Sequence, residues 1–441
     1  MSRPGHQPAT LERLSLTFSL KRLLDRHILT KSAAIEGARF DIVREADGRL
    51  SINGVDVSEY LDAAASKPQD ELGKGTDWGF GLRRLDLRNG RIRFEDKSVP
   101  EGGILDLEFV LMSISGFDTL TSGSKGRFSL SGLVNNMPVT IGGAISIEPD
   151  NVGFDLESEF GAVTPEQIGQ FTGPATISAF GGRMSSRFRH RGEISSADSI
   201  AVENDGEIVV FDGRFRNPHG LSVSARKLSA AVRARLVAAS GAPARFSGTV
   251  SLDAEAVRAA SSGAMDMEVA QARADLTGVS LEIHTGAAPT VRDISAARAE
   301  IGAGNISLGA EAGHLFFART GKISLGELSL SPSPDVAERF SLRAGNLGFS
   351  ARAVTAREPA GTALQLGNIG SQWQHTALAM SLSDRGSAEL RLEDGSFQGR
   401  NWHLRGSQGE LVELQSVTAR LDALELAHDD EGTIEFQAAG S

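Results

Sequence analysis

The chain has 441 residues, with 45 Lys+Arg against 56 Asp+Glu, a net charge of −11, 50 glycines and no cysteine. That balance argues against nucleic acid as the default partner, and the missing thiols exclude disulfides, thiolate metal sites and cysteine nucleophiles. No run approaches the roughly 18 apolar residues that a membrane helix needs, while abundant glycine among short alternating stretches favours many strands.

The chain opens on LERLSLTFSLKRLLDRH (11–27), which charge interrupts throughout, so it reads as neither a signal peptide nor a span. The first 50 residues hold nine Lys/Arg and six Asp/Glu, a mildly basic end suited to a solvated surface or an anionic membrane. FDIVREA (40–46) reads as a strand closed by a turn at Asp47-Gly48, VDVSEYLDAAA (55–65) as a helix, and SKPQDELGKGTD as a polar linker. RLDLRNGRIRFED (84–96) reads as a hairpin, because Asn-Gly is the strongest short signal for a two-residue type I′ turn. A turn at Asn89-Gly90 pairs Leu87 with Ile92 and Leu85 with Phe94 on one face, and Asp86 with Arg93 and Arg84 with Glu95 on the other.

Further along, RFSLSG (127–132), VTIGGAISIE (139–148) and MDMEVA (265–270) each alternate as a strand with one buried face. Asp212-Gly213 and Asp394-Gly395 are read as further turns. VTPEQIGQFTG (163–173), with Thr164, Pro165 and Gly173 in capping positions, and SPDVAERF (333–340) are read as short helices. ARKLSAAVRARLVAAS (225–240) fits either a helix on Leu228, Val232 and Leu236 or another strand. At roughly ten residues per strand, this grammar makes some 35 strands.

The C-terminal third repeats. Gly304-Asn305-Ile306, Gly326-Glu327-Leu328, Gly345-Asn346-Leu347, Gly367-Asn368-Ile369, Ala388-Glu389-Leu390, Gly409-Glu410-Leu411 and Gly432-Thr433-Ile434 recur about every 21 residues. Such a period fits two strands with two turns or one coil of a solenoid. If it marks equivalent positions, its seven Ile and Leu side chains share one face. A leucine-rich repeat is disfavoured, since the Asn it needs does not follow LGELSL or LDALEL.

No pattern of catalytic chemistry emerges. There is no HExxH, and the nine histidines are scattered. GKGT and GSKG fall short of a phosphate loop, GAGNIS of a dinucleotide fingerprint and DDEG of a calcium loop. Asp106 and Glu108 share a strand face as a solvated pair would. Arg187, Arg189 and Arg191 form a row that suits either a charged solvent face or an anionic headgroup. With 21 Phe, three Trp and one Tyr, stacking platforms for nucleic acid are poorly supported. No residue is assigned as catalytic, cofactor-binding or metal-binding.

IEGARFDIVREADGRLSI (35–52), GLRRLDLRNGRIRFEDK (81–97), GRFSLSGLVNNMPVTIGGAIS (126–146) and ATISAFGGR follow one another in an order that resembles bacterial AsmA-like proteins. The resemblance covers residues 15 to 190. It implies a bridge-like, chorein-type architecture, an elongated antiparallel sheet of repeated hairpins curled into an apolar groove, without catalytic residues. It also implies phospholipid as cargo, inner and outer membranes or their proteins as partners, and a place on the periplasmic side of the bacterial inner membrane. The family's N-terminal membrane anchor is missing from this chain.

The expectation is therefore an all-β protein with a few short helices. Residues 1–76 would form an AsmA-like hairpin region with a helix and linker, and 77–441 a repeated hairpin groove. It would be non-enzymatic, with no cofactor, and would carry phospholipid along the groove toward outer-membrane biogenesis. The competing reading is a structural or adhesive β-solenoid filled by its own side chains, and an enzyme ranks third. A sheet must bury its apolar face, and this chain has too few helices to cover one.

Overall fold

The computed structural model describes residues 10–57, 79–97, 103–118, 125–148, 151–164, 180–195, 199–216, 222–239, 242–261, 265–284, 290–310, 315–332, 339–357, 362–381, 388–406, 408, 411–428 and 434–439. Over these residues the protein is all-β. One helix, α1 (Leu20–Leu23), stands among 23 strands. The helices expected at 163–173 and 333–340 lie almost wholly outside the described residues, as does 58–65 of the one expected at 55–65. Residues 225–239 of the ambiguous segment lie within a strand, Ser222–Ala239, and residue 240 lies outside the described residues.

The chain divides into two compact units, Met1–Ser178 with Arg183–Glu203, and Ala179–Gly182 with Asn204–Ser441. In the first, β1 (Arg13–Phe18) pairs antiparallel with β2 (His27–Glu36). β2 and then β3 (Arg39–Arg44) run parallel to the single long strand β6 (Gly79–Asp96). β4 (Leu50–Ile52) and β5 (Val55–Asp56) extend β3. From β6 an antiparallel meander continues through β7 (Gly103–Asp118), β8 (Lys125–Val134), β9 (Met137–Glu148), β10 (Asn151–Val163) and β11 (Phe180–Ser195). β12 (Ser199–Arg216) follows, with Ser199–Glu203 in the first unit and the rest in the second.

The second unit is a meander of β13 (Ser222–Ala239), β14 (Ala244–Ser261), β15 (Met265–His284), β16 (Thr290–Ala310) and β17 (Leu315–Pro332). Here β18 (Arg339–Ala344) and β19 (Asn346–Arg357) lie end to end along β17. β20 (Ala363–Ser381), β21 (Ala388–Arg405), β22 (Leu411–His428) and β23 (Ile434–Ala439) complete it.

Two sequence expectations are overturned here. Asn89-Gly90 is not a hairpin turn: β6 passes straight through it, so Leu87 and Ile92 belong to one strand and face Met112 and Leu107 of β7. Leu85 and Phe94 likewise face Ile114 and Leu105, and Asp86 bonds to Arg84 on its own strand rather than facing Arg93. Asp212-Gly213 and Asp394-Gly395 also lie within continuous strands. The reason is geometric. Asn89, Asp212 and Asp394 do have φ near +50°, as the sequence required, but one left-handed residue kinks a strand, whereas a type I′ turn needs two in succession. The two-residue hairpins sit instead at Asn53-Gly54 and Asn135-Asn136, where both residues have positive φ and Ile52–Val55 and Val134–Met137 close the ladders. The turn at Asp47-Gly48 joins β3 to β4 as expected.

The strands are consequently longer than the ten residues expected, reaching 18 to 21 in β13–β17. A period near 21 is therefore one strand plus its connection. It does not mark equivalent sites. Asn305 and Glu327 are mid-strand kinks, whereas Ala388 and Leu411 begin strands. Ile306, Leu328, Leu347, Ile369 and Leu390 do share the apolar face. Leu411 sits opposite Arg405, one step out of phase with the Leu404–Val412 pair, and so lies on the other face, while Ile434's side chain is outside the described residues. Antiparallel meandering also removes the solenoid, whose successive coils stack in parallel.

Candidate functional site: an apolar sheet face kept in phase by kinks

The kinks align across strands. In the second unit, ladder register places Ala256, Ala270, Asn305, Arg319, Ala353, Gly367, Asn401 and Gln415 in one line from β14 to β22. Ala256, Asn305, Ala353 and Asn401, on alternate members of that line, have φ of 50–55°. A second line runs through Gly278, Ala297, Glu327 and Gly345, and Asp394 lies one step on, opposite Gln374. Gly278, Glu327 and Asp394 again have positive φ. On β16 and β17 the lines are eight residues apart, which at about 3.3 Å per residue makes a central panel about 25 Å wide.

Each kink shifts the side-chain alternation by one residue, and the sequence shifts with it. Ala299, Ile301 and Ala303 of β16 are odd-numbered, while Ile306 and Leu308 beyond Asn305 are even. One apolar cluster holds Phe349 and Ala351 together with Val354, on either side of Ala353, and Leu366 with Ile369 on either side of Gly367. Another joins Leu276 to Val279 across Gly278, Ala296 to Ala299 across Ala297 and Leu325 to Leu328 across Glu327. The apolar face therefore continues through both lines.

Each kink bends its strand, and the face with it. Its buried members flank the kinks and are mostly small: Ala296, Ala299, Ala318, Ala344, Ala351 and Val354. Among the described residues, every pair of elements in substantial contact, α1 against β2 apart, consists of hydrogen-bonded neighbours. Larger residues beside the kinks, Leu328, Leu366 and Trp373, are buried with them. Between and beyond the bends, larger residues on the same face stay open, with Ile301 39%, Leu404 43% and Leu414 45% exposed.

The first unit follows the same rule. Asn89 lies level with Val110 on one side and Gly37 (φ +65°) on the other. A Cβ at Gly90 would sit 2.2 Å from Cζ of Phe109, whose ring is buried over the glycine. At Asp394-Gly395, Trp373 covers the glycine in the same way, 2.1 Å from where a Cβ would stand. So the dipeptide combines a residue tolerant of the left-handed region with one that leaves room for a ring.

The opposite face is a lattice of ion pairs. Arg91 meets Asp106 and Glu108, Arg187 meets Glu159, and Arg189 and Arg191 both meet Asp155, at 2.8 and 3.2 Å. The arginine row read from sequence is thus matched by a neighbouring acidic row. Hydrogen bonds from Arg189, then Arg191, outweigh desolvation and hold the Asp155 pKa down at about 2. Lys322 and Arg298 lower that of Glu300. A hollow of about 330 Å³ on this face, lined by Lys322, Ser324, Ser350, Gln372, Ser396 and Gln398, brings together no acid, base and nucleophile. Among the described residues, no group of three or more His, Asp and Glu converges on a metal-sized site, and no described helix is long and apolar enough to cross a membrane.

No protein-family model, curated protein or solved structure matches the chain. Sequence reasoning found the greasy face and missed the kinks that preserve it. Their signal was present, because the parity of the apolar residues changes at Asn305-Ile306, Glu327-Leu328 and Asp394-Gly395.

Proposed function

We propose that this protein binds lipid acyl chains along its apolar face and carries phospholipid between the inner and outer membranes, contributing to outer-membrane biogenesis. In this reading it is a non-enzymatic, AsmA-like envelope protein on the periplasmic side of the inner membrane. The observation that carries it is an apolar face, in phase across successive strands, whose larger described residues such as Ile301, Leu404 and Leu414 stand open. Apolar surface in water is costly, at about 25 cal/mol per Å². Lipid is a fitting occupant because a smooth trough offers area without fixed polar contacts. At about 0.8 kcal/mol per buried CH₂, a 16-carbon chain gains on the order of 12 kcal/mol before ordering costs. Large uncovered apolar patches on soluble proteins mark such interaction surfaces.

The test is gentle purification without detergent, followed by mass spectrometry of extracted lipid and titration with diphenylhexatriene, which fluoresces in apolar surroundings. Co-purified phospholipid and a saturable signal are expected. A protein free of lipid that fails to bind the probe refutes the reading.

A further inference from the structure

One stretch of the apolar face is polar. Ser158 of β10 and His190 of β11 are joined by a 2.8 Å hydrogen bond between Oγ and Nε2. The even-numbered residues of β10 here are Phe154, Leu156, Ser158 and Phe160, and those of β11 are Ser186, Phe188, His190 and Gly192. Ser158 lies opposite Phe188 and Ile141, His190 opposite Leu156, and Ser186 opposite Phe160. The charged residues of the two strands, Asp155, Glu157, Glu159, Arg187, Arg189 and Arg191, alternate onto the other face, where the ion pairs lie.

Ser158 is 5% exposed, whereas the imidazole is half-buried. The ring is held twice over, by the buried hydroxyl at one nitrogen and by Phe188 stacked at 6.0 Å with planes 19° apart. Two hydrophobic residues would serve a purely apolar trough better at this point, since polar groups on such a face must be partnered to be tolerated. An oriented imidazole instead gives the face one fixed polar point.

Resting on the lipid-binding reading, we propose that the Ser158–His190 couple is the point where the apolar face holds the head of a lipid. It would engage an acceptor oxygen at the end of an acyl chain, either an ester carbonyl or a phosphodiester. Ser158 is the positioning residue and His190 the contact.

The experiment uses the full chain, its Ser158→Ala and His190→Phe variants, and three probes. Diphenylhexatriene has no polar head, dioleoylglycerol has ester groups only, and palmitoyl-oleoyl-phosphatidylglycerol has esters and a phosphate. The proposal expects both variants to bind headed lipids about three- to ten-fold more weakly relative to their own diphenylhexatriene binding, the loss of one ordinary hydrogen bond. Equal weakening for dioleoylglycerol and phosphatidylglycerol assigns the contact to the ester, and weakening for phosphatidylglycerol alone assigns it to the phosphate. Unchanged affinity of both variants for both lipids overturns the inference and leaves the trough intact. Failure of the wild type to bind any probe overturns the trough and this inference with it. Ser158→Ala removes one oxygen from a buried site, so it reports even if His190→Phe perturbs folding.

Discussion

Gly90→Ala adds a single methyl group, and the two readings of Asn89-Gly90 give it different fates. In a hairpin turn the methyl would meet solvent and cost only the strain of a positive φ. In the structure Gly90 is within a strand and is not among the residues of positive φ, so its backbone tolerates alanine. The difficulty is space: the new Cβ would stand 2.2 and 2.6 Å from Cζ and Cε2 of Phe109 and 3.0 Å from the carbonyl of Ala38. Phe109 is only 2% exposed, so the ring has nowhere to swing. Overpacking of this kind costs about 1–3 kcal/mol, or roughly 2–12 °C in melting temperature for a unit of this size. The assay is a double-mutant cycle with Phe109→Leu, read by melting and by hydrogen exchange of β6 and β7. Alone, Phe109→Leu should destabilise by vacating its place over the glycine. In the Gly90→Ala background it should be neutral or stabilising, giving a coupling of 1 kcal/mol or more. Additive effects within about 0.3 kcal/mol would show that ring and glycine do not meet and would refute the kink reasoning.

Ala353 has φ +50°, so Ala353→Gly relieves about 1–2 kcal/mol of left-handed strain against about 0.5–1 kcal/mol of added chain entropy; it should raise the melting temperature, where an ordinary strand Ala→Gly lowers it. Ile301→Asp places a carboxylate on a 39% exposed part of the apolar face; circular dichroism should show an intact fold, with melting altered by less than the 3–5 kcal/mol of an unpaired buried charge, while bound phospholipid falls. Asp155 has its pKa lowered from 3.8 to about 2 by Arg189 and Arg191. Because the folded value lies below the unfolded one, its contribution is complete above pH 4 and disappears as pH falls through 2. The side chain is partly exposed, so the melting difference between wild type and Asp155→Asn should be small near neutrality, shrink with added salt and fade as pH drops below 2.

The fold class was legible because alternation and turn chemistry are local. VTIGGAISIE and MDMEVA alternate in the sequence as they do in β9 and β15. What was not legible was which positive-φ signals turn the chain and which only bend it. Asn89-Gly90 and Asn53-Gly54 are the same dipeptide. The first is flanked by partners on both sides, β2–β3 and β7, which hold the strand extended through it; the second closes the three-residue β4 onto β5. That difference is tertiary. The apolar face could be read in pieces, Leu85 with Leu87 and Ile92 with Phe94, but joining the pieces across a parity change needed the register of the neighbouring strand. The Ser158–His190 couple was invisible for the same reason, since 32 residues separate its members.

The order of the ladders also shapes how the protein folds. Among the described residues of the second unit no strand pairs with one more than two places away in the chain, the widest steps being β17–β19 and β18–β20. Loop-closure entropy is therefore small at each addition, and a sheet of this kind can grow hairpin by hairpin from any starting pair. Losing β23 should fray β22 and leave the remainder standing, as removing an end repeat does in a linear array. The first unit lacks that freedom. β2 and β3 lie parallel to β6, so His27 must find Gly79 some 50 residues away before the meander has an edge to build on. The slow step of folding should therefore fall there, and a chain emerging from synthesis would wait for β6 before its N-terminal strands could be placed.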